Sequence, residues 1–195
     1  YHIEATTQIV AYQFNPLDNV DVFSNDASLL LPENTLGTEY RVFSMPEYLG
    51  TGPSTPPGGA CADVCAGLDG GTCLIDPNQC LLPYRGFVTV MAVADNTQVS
   101  ITASSVTQAG PGLDAMSPGQ VQEVTLQAYQ VLNVKTDGAG ADLTGTLVTS
   151  SKPVAGFGGH EASLTSPKCC ADHLEEQMFP LKAWGNQYIA TKSKA

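Results

Sequence analysis

Basic side chains are scarce: 8 Lys and Arg stand against 19 Asp and Glu in 195 residues, a formal net charge of -11. A chain this acidic is repelled at long range by phosphate backbones, so no nucleic-acid partner is expected. Long apolar runs are missing too. Nothing approaches the roughly 18 to 20 residues that span a bilayer, and the start YHIEATTQIV has neither a basic n-region nor an apolar h-region. No transmembrane segment is expected, and any export signal is expected to lie upstream or to have been removed. Helical periodicity is almost absent. Only DHLEEQMF, residues 172 to 179, reads as a helical turn, with Asp172 as N-cap and Glu175 and Glu176 near its first turn.

What the chain does contain is strand-forming material divided by turns. With 43% hydrophobic and 14% charged residues it can bury one or two cores, and 19 Gly and 13 Pro favour many turns over long helices. Runs rich in Val, Ile, Thr, Tyr and Phe with a period of two occur at 9–14, 27–32, 39–45, 86–94, 97–104, 121–128, 129–136, 145–151 and 153–159. Asp95-Asn96, Pro118-Gly119 and Asp137-Gly138 supply turns between them. The alternation points to a core drawn from Val90, Ala92, Val99, Ile101, Val131, Leu132, Leu147, Val154 and Phe157. Strand-helix alternation, the mark of a parallel-sheet enzyme, is not seen.

The chain also repeats itself. Thr6-Thr7 and Val10-Ala11 recur as Ser150-Ser151 and Val154-Ala155, and Pro32, Gly37 and Tyr40 recur as Pro180, Gly185 and Tyr188. The expected architecture is therefore all-β, antiparallel β-sandwich units in a tandem repeat, with a β-propeller-like arrangement as the alternative. Residues 1–45 are assigned to strands and a connector of a preceding unit and 46–83 to a Cys-rich insert. Residues 84–160 are assigned to a central β unit, and 161–195 to a connector and the start of a following unit. On this view the chain is a fragment of a larger domain. Trp184, which takes the repeat position of Leu36, is expected in a core.

Six cysteines fall at Cys61, Cys65, Cys73, Cys80, Cys169 and Cys170, four of them in a polar insert with little core material. An even count in such a setting reads as disulfides formed in an oxidising compartment, and spacing alone does not choose their connectivity. Zinc is the rival reading, but the insert holds neither a CxxC knuckle nor a histidine.

Candidate chemistry concentrates in SSKPVAGFGGHEASLTSPKCCADHLEEQMFP, residues 150 to 180. His160, Cys169, Cys170 and His173 are zinc-ligand types in a short window, although adjacent cysteines make poor co-ligands. Glu161, Asp172, Glu175 and Glu176 could supply a carboxylate pair for glycoside hydrolysis, but sequence proximity gives no carboxyl separation and a solvated acidic loop is the expected reading. A second acidic stretch places Asp18, Asn19, Asp21, Asn25 and Asp26 where calcium could bind, but Asx-turns account for the same residues. The GFGGH glycines are expected to permit a bulge or close strand packing rather than to cradle phosphate. No residue is assigned a catalytic, cofactor or metal-binding role. The stretch is expected to be a cross-linked structural corner.

Several segments together resemble a known family. AYQFNPL, NDASLLLPENTLGTEYRV, FVTVMAVADNTQVSITAS, DLTGTLVTSSKPVAGFGGHEA and CCADHLEEQMFPLKAWGNQYIAT are similar to the IgG Fc-binding protein N-terminal domain family. The resemblance spans nearly the whole chain and is most specific in the DLTGT…SxKPVAxFxGH and CxDHLEEQxxP…WGxxY blocks. Family members often carry a cysteine after the Gly-His, where this chain reads Glu161-Ala162-Ser163, and here the cysteine before Asp-His is doubled. The insert suggests a bacterial surface or secreted member. The resemblance implies a non-catalytic extracellular or cell-surface module for binding, adhesion or a matrix role, with an extracellular protein or a glycan as partner. A secreted hydrolase, metal-dependent or acting on glycosides, is the alternative.

Thiol labelling of the purified protein before and after reduction tests the cysteine reading. No label without reductant and six labels after it are expected, and six labels without reductant would refute it.

Overall fold

A computed structural model describes residues 2–15, 26–51, 81–163 and 172–190. Among these, the strands are β1 (Ala11–Asn15), β2 (Asp26–Leu30), β3 (Gly37–Arg41), β4 (Tyr48–Thr51), β5 (Leu81–Tyr84), β6 (Gly86–Ala92), β7 (Thr97–Thr102), β8 (Val121–Leu126), β9 (Val131–Lys135), β10 (Leu147–Ser163) and β11 (Asp172–Gln177). All pairings are antiparallel. All-β architecture is thus confirmed. The six cysteines, and Asp18, Asn19, Asp21 and Asn25, lie outside the described residues.

β10 is the spine. Along one of its edges, Leu147–Ser150 pair with β7 and Val154–His160 with β6, so that β6 and β7 run end to end beside a single 17-residue strand. The opposite edge takes β3 and then β11. β8 and β9 repeat the arrangement one strand farther out, on β7 and β6. All three long runs bend at the same level. Pro153 interrupts hydrogen bonding within β10, and Asn96 (φ 55°) and Tyr129 (φ 66°) adopt left-handed backbone beside it. Lys152 Nζ donates to the Asp95 carbonyl at 2.5 Å, Gln98 N–H to Ser151 Oγ at 2.9 Å, and Ala128 N–H to Asp95 Oδ1 at 3.0 Å, which ties the corner together. The sheet therefore curls over itself as a half-barrel instead of dividing into the two separate sheets of a sandwich.

One core fills the curl. Val90, Ala92 and Val134 from one half meet Val99, Ile101 and Val148 from the other, with Tyr40, Val42 and Met178 from the far edge. Alternation placed six of the nine expected core residues correctly: Val90, Ala92, Val99, Ile101, Leu132 and Val154 are buried. Val131 is not, at 57% exposed, because its neighbour Leu132 takes the inward place. Leu147 and Phe157 are only partly buried, and Val148 carries the inward role near Leu147. Leu113, Met116 and Leu143 come from the long connections and complete the core.

Residues 172–177 are a strand and not the expected helical turn. The long-range ladder from Phe157↔Gln177 to Ser163↔Asp172 satisfies their backbone against β10, and this outweighs a weak local helical signal. GFGGH is closely packed, as expected. A Cβ on Gly158 would strike the Phe43 carbonyl and one on Gly159 the Leu174 carbonyl. Both obstacles are backbone, so neither can move cheaply.

Val99 has no exposed surface. Val99→Asp should cost about 4 kcal/mol by burying an unpaired charge, and Gly158→Ala about 2 kcal/mol by overpacking. Urea denaturation checks both, and wild-type midpoints would show the core to be assigned wrongly.

Candidate functional site

His160 closes the C-terminal end of β10, opposite Gly86 of β6 and Leu174 of β11. Its ring is fully buried and stacks on Tyr48 at a centroid distance of 5.7 Å and an interplanar angle of 6°. Tyr48 in turn meets Tyr84, 5.4 Å away, and its hydroxyl donates to the Ala162 carbonyl. These tyrosines face each other across the β4–β5 ladder. Nδ1 of His160 accepts from Ala162 N–H at 3.1 Å, while Nε2 makes no well-aligned hydrogen bond among the described residues, although backbone of Pro46 and Tyr84 lies within electrostatic reach of the ring. Burial lowers the imidazole pKa below 6.5, although the Pro46 carbonyl and the Glu161 carboxylate pull the other way.

A chain of charges surrounds this stack. Glu161 Oε1 accepts from Lys135 Nζ at 2.6 Å, and Oε2 from Arg85 N–H at 3.0 Å. The Arg85 guanidinium lies 3.9 Å from Glu47 Oε2, whose side chain is almost wholly buried. With its amide turned so that the oxygen faces the guanidinium, Gln108 accepts from Arg85 Nε at 3.3 Å and Nη2 at 3.0 Å. Glu47 is fixed through its backbone, its N–H donating to Ala141 and its carbonyl accepting from Gly140.

The other expected site residues are spread over both faces of the sheet. Leu174 pairs with His160, so neighbouring His173 projects from the opposite face, where it stacks on Phe87 at 5.9 Å. The two histidines therefore do not converge on one ion. Glu175 and Glu176 point from opposite faces for the same reason. Burial raises the pKa of Glu175, with Asp26 adding to the rise while His173 and Gln13 oppose it; burial and then Asp26 also raise that of Glu176. Asp26 accepts from Ala27 N–H at 2.8 Å and from Glu175 N–H, so it serves as a backbone cap. Asp172 is engaged in an interaction of its own.

Glu47, Tyr48, Tyr84, Arg85 and Lys135 were not singled out by sequence pattern. A usable signal existed: Tyr48 and Tyr84 flank the Cys-rich stretch, as the feet of a hairpin stem would. Trp184 is 54% exposed and not in a core, because residues 185–190 form no strand on the described sheet. Its indole donates to the Phe179 carbonyl at 3.2 Å.

A curled β scaffold whose histidines and carboxylates are held in stacking, capping and ion pairs defines a structural class of module, one in which these groups brace the fold. Residues 26–195 match the family model described as IgGFc binding protein. The human IgGFc-binding protein is 33% identical over 165 residues, covering 84% of this chain and 2% of the human protein. The chain belongs to the IgGFc binding protein family. It spans only a small part of that relative's length, and a human relative lends no support to the bacterial origin expected from the insert. No solved structure matches the chain.

The buried imidazole sets a direction of pH dependence. An unfolded histidine titrates near 6.5 and the folded one lower, so below that value the unfolded chain binds the extra proton. Stability from neutral His160 is complete above pH 6.5 and lost as pH falls. Glu175 and Glu176 act oppositely: their raised folded pKa values stabilise the fold below about pH 4.5, and this is lost as pH rises through the folded values. Between pH 7.5 and 5.5, His160→Gln should reduce the loss of stability seen in the wild type, and Glu175→Gln should be more stabilising at pH 7.5 than at pH 4. Parallel urea-denaturation profiles for the three proteins would contradict both assignments.

Proposed function

We propose that this chain is a non-catalytic module that binds an extracellular protein, exposed on a secreted or cell-surface molecule, in an adhesive or matrix role. Family membership carries the reading, since the human relative is named for binding IgG Fc. The site geometry is consistent with it: His160 is stacked and buried, Glu161 is paired with Lys135, and Glu175 accepts from Gln13. No helix among the described residues is long and apolar enough to cross a membrane. The six cysteines form disulfides on this reading, as export would allow. A metal-dependent or glycoside hydrolase gains nothing from the geometry, because the histidines diverge and Asp26 is spent on backbone caps.

Immobilised protein, unreduced, should be probed with IgG Fc, other secreted proteins and a glycan array. Saturable binding of a protein ligand at micromolar concentration or tighter is expected, with Glu175→Gln binding as the wild type does. Turnover of chromogenic glycosides by the wild type, abolished in Glu175→Gln, would replace this reading with the hydrolase.

A further inference from the structure

The repeated motif in the sequence is also repeated in space. Pro32 (φ −61°, ψ 147°) opens a 3-10 turn at Glu33–Thr35, closed by Leu36 (φ −60°, ψ 155°). Pro180 (φ −64°, ψ 151°) opens a matching turn at Leu181–Ala183, closed by Trp184 (φ −72°, ψ 138°). In both copies the glycine that follows donates its N–H to the hydroxyl of a tyrosine three residues on: Gly37 to Tyr40 at 2.8 Å, and Gly185 to Tyr188 at 2.7 Å. Each motif is also preceded by an antiparallel hairpin, β1–β2 or β10–β11.

The copies differ in what they meet. In the first, the Tyr40 hydroxyl donates onward to the Val154 carbonyl at 2.6 Å, β3 pairs with β10, and Leu36, Tyr40 and Val42 are buried. In the second, the Tyr188 hydroxyl has no acceptor among the described residues, and Trp184, Tyr188 and Ile189 are 54%, 75% and 98% exposed. A tyrosine held in this bent posture loses side-chain freedom for one hydrogen bond that water could supply, so the posture gains its value from what it docks against.

The N-terminal end shows the complement. Val10 stands where Val154 stands in the second copy and is exposed, and among the described residues β1 is paired only with β2, whereas the corresponding part of β10 is paired on both edges. The junction between successive hairpins is already visible. Ser28 Oγ accepts from Gln177 N–H at 3.1 Å, Gln177 Oε1 from Leu31 N–H at 2.6 Å, and the Leu36 carbonyl from Lys182 Nζ at 2.6 Å.

We infer that residues 185–190 are a docking strand for a second β unit of this same build, joined in tandem, whose long strand offers a backbone carbonyl to Tyr188 as Val154 does to Tyr40. The chain would then belong to an array in which each hairpin ends one unit and its Pro-turn-Gly-Tyr segment begins the next. Each joint combines a tyrosine hydrogen bond with strand pairing, and each unit's first strand is supplied by the hairpin of the unit before it.

The test is a fusion of residues 1–190 to a second copy of 43–195, which places Ala190 in the position of Val42. Amides of 185–190 should exchange at least about 100-fold more slowly in the fusion than in the single chain, as strand amides in a folded unit do. Tyr188→Phe should reduce that protection in the fusion while leaving the melting temperature of the single chain unchanged. A folded second unit with unprotected 185–190 would overturn the inference and leave the segment to some other partner. A control fusion carries Glu33–Val42 in place of Leu181–Ala190. Folding of the control alone would show that this segment is no docking strand, and failure of both would show that the joint does not suffice to start a unit.

Discussion

The seven-stranded sheet of the described fold is organised around the backbone of β10. It pairs with four strands, β3, β6, β7 and β11, and the carbonyl of Val154 at its bend receives the hydroxyl of Tyr40. Burying that phenol raises its pKa and commits its hydroxyl to the backbone, where an unmade bond would be costly. The glycines at 158 and 159 follow from the same constraint. With β6 and β11 on the two edges, the Phe43 carbonyl occupying the place of a Cβ on Gly158 and the Leu174 carbonyl of β11 that of a Cβ on Gly159, no side chain fits. The bend at Ser151–Pro153 then lets one strand serve both halves of the core.

The polar groups at the end of the spine are subordinate to this plan. Glu161 extends β10 by binding the main chain of Arg85, Lys135 neutralises it from the end of β9, and Arg85 spans to Glu47 beside the stem of the Cys-rich stretch. Removing one member would leave a buried or half-buried charge unpaired, which costs more than the pair contributes when intact. His160 and Tyr48 fasten the same stem by stacking. His160 and Glu161, which resemble catalytic or metal-binding candidates in a linear reading, are therefore bracing for a hairpin base.

Much of the scaffold was legible in the sequence because its strands alternate regularly: Val99 and Ile101, or Leu132 and Val134, face inward while their neighbours face out. The blocks around DLTGT and DHLEEQ also carried the family. Tertiary pairing was not legible. The DHLEEQ segment has no apolar alternation of its own and becomes a strand only against β10, while Leu113, Met116 and Leu143 reach the core from irregular connections with no period to reveal them. Trp184 shows the limit of repeat logic: its partner position Leu36 is buried because β3 docks on β10, and the second copy has no such neighbour among the described residues. Stacking of His160 on Tyr48 joins residues far apart in sequence, beyond what local spacing could show.

By pairing with both β6 and β7, β10 should make the two halves of the curled sheet one cooperative body. Native-state hydrogen exchange across a denaturant series tests it most directly. Amides of β10 paired to β7 and those paired to β6 should exchange last, with a common opening free energy equal to that of global unfolding. Release of one half at a lower free energy while the other stays protected would contradict it.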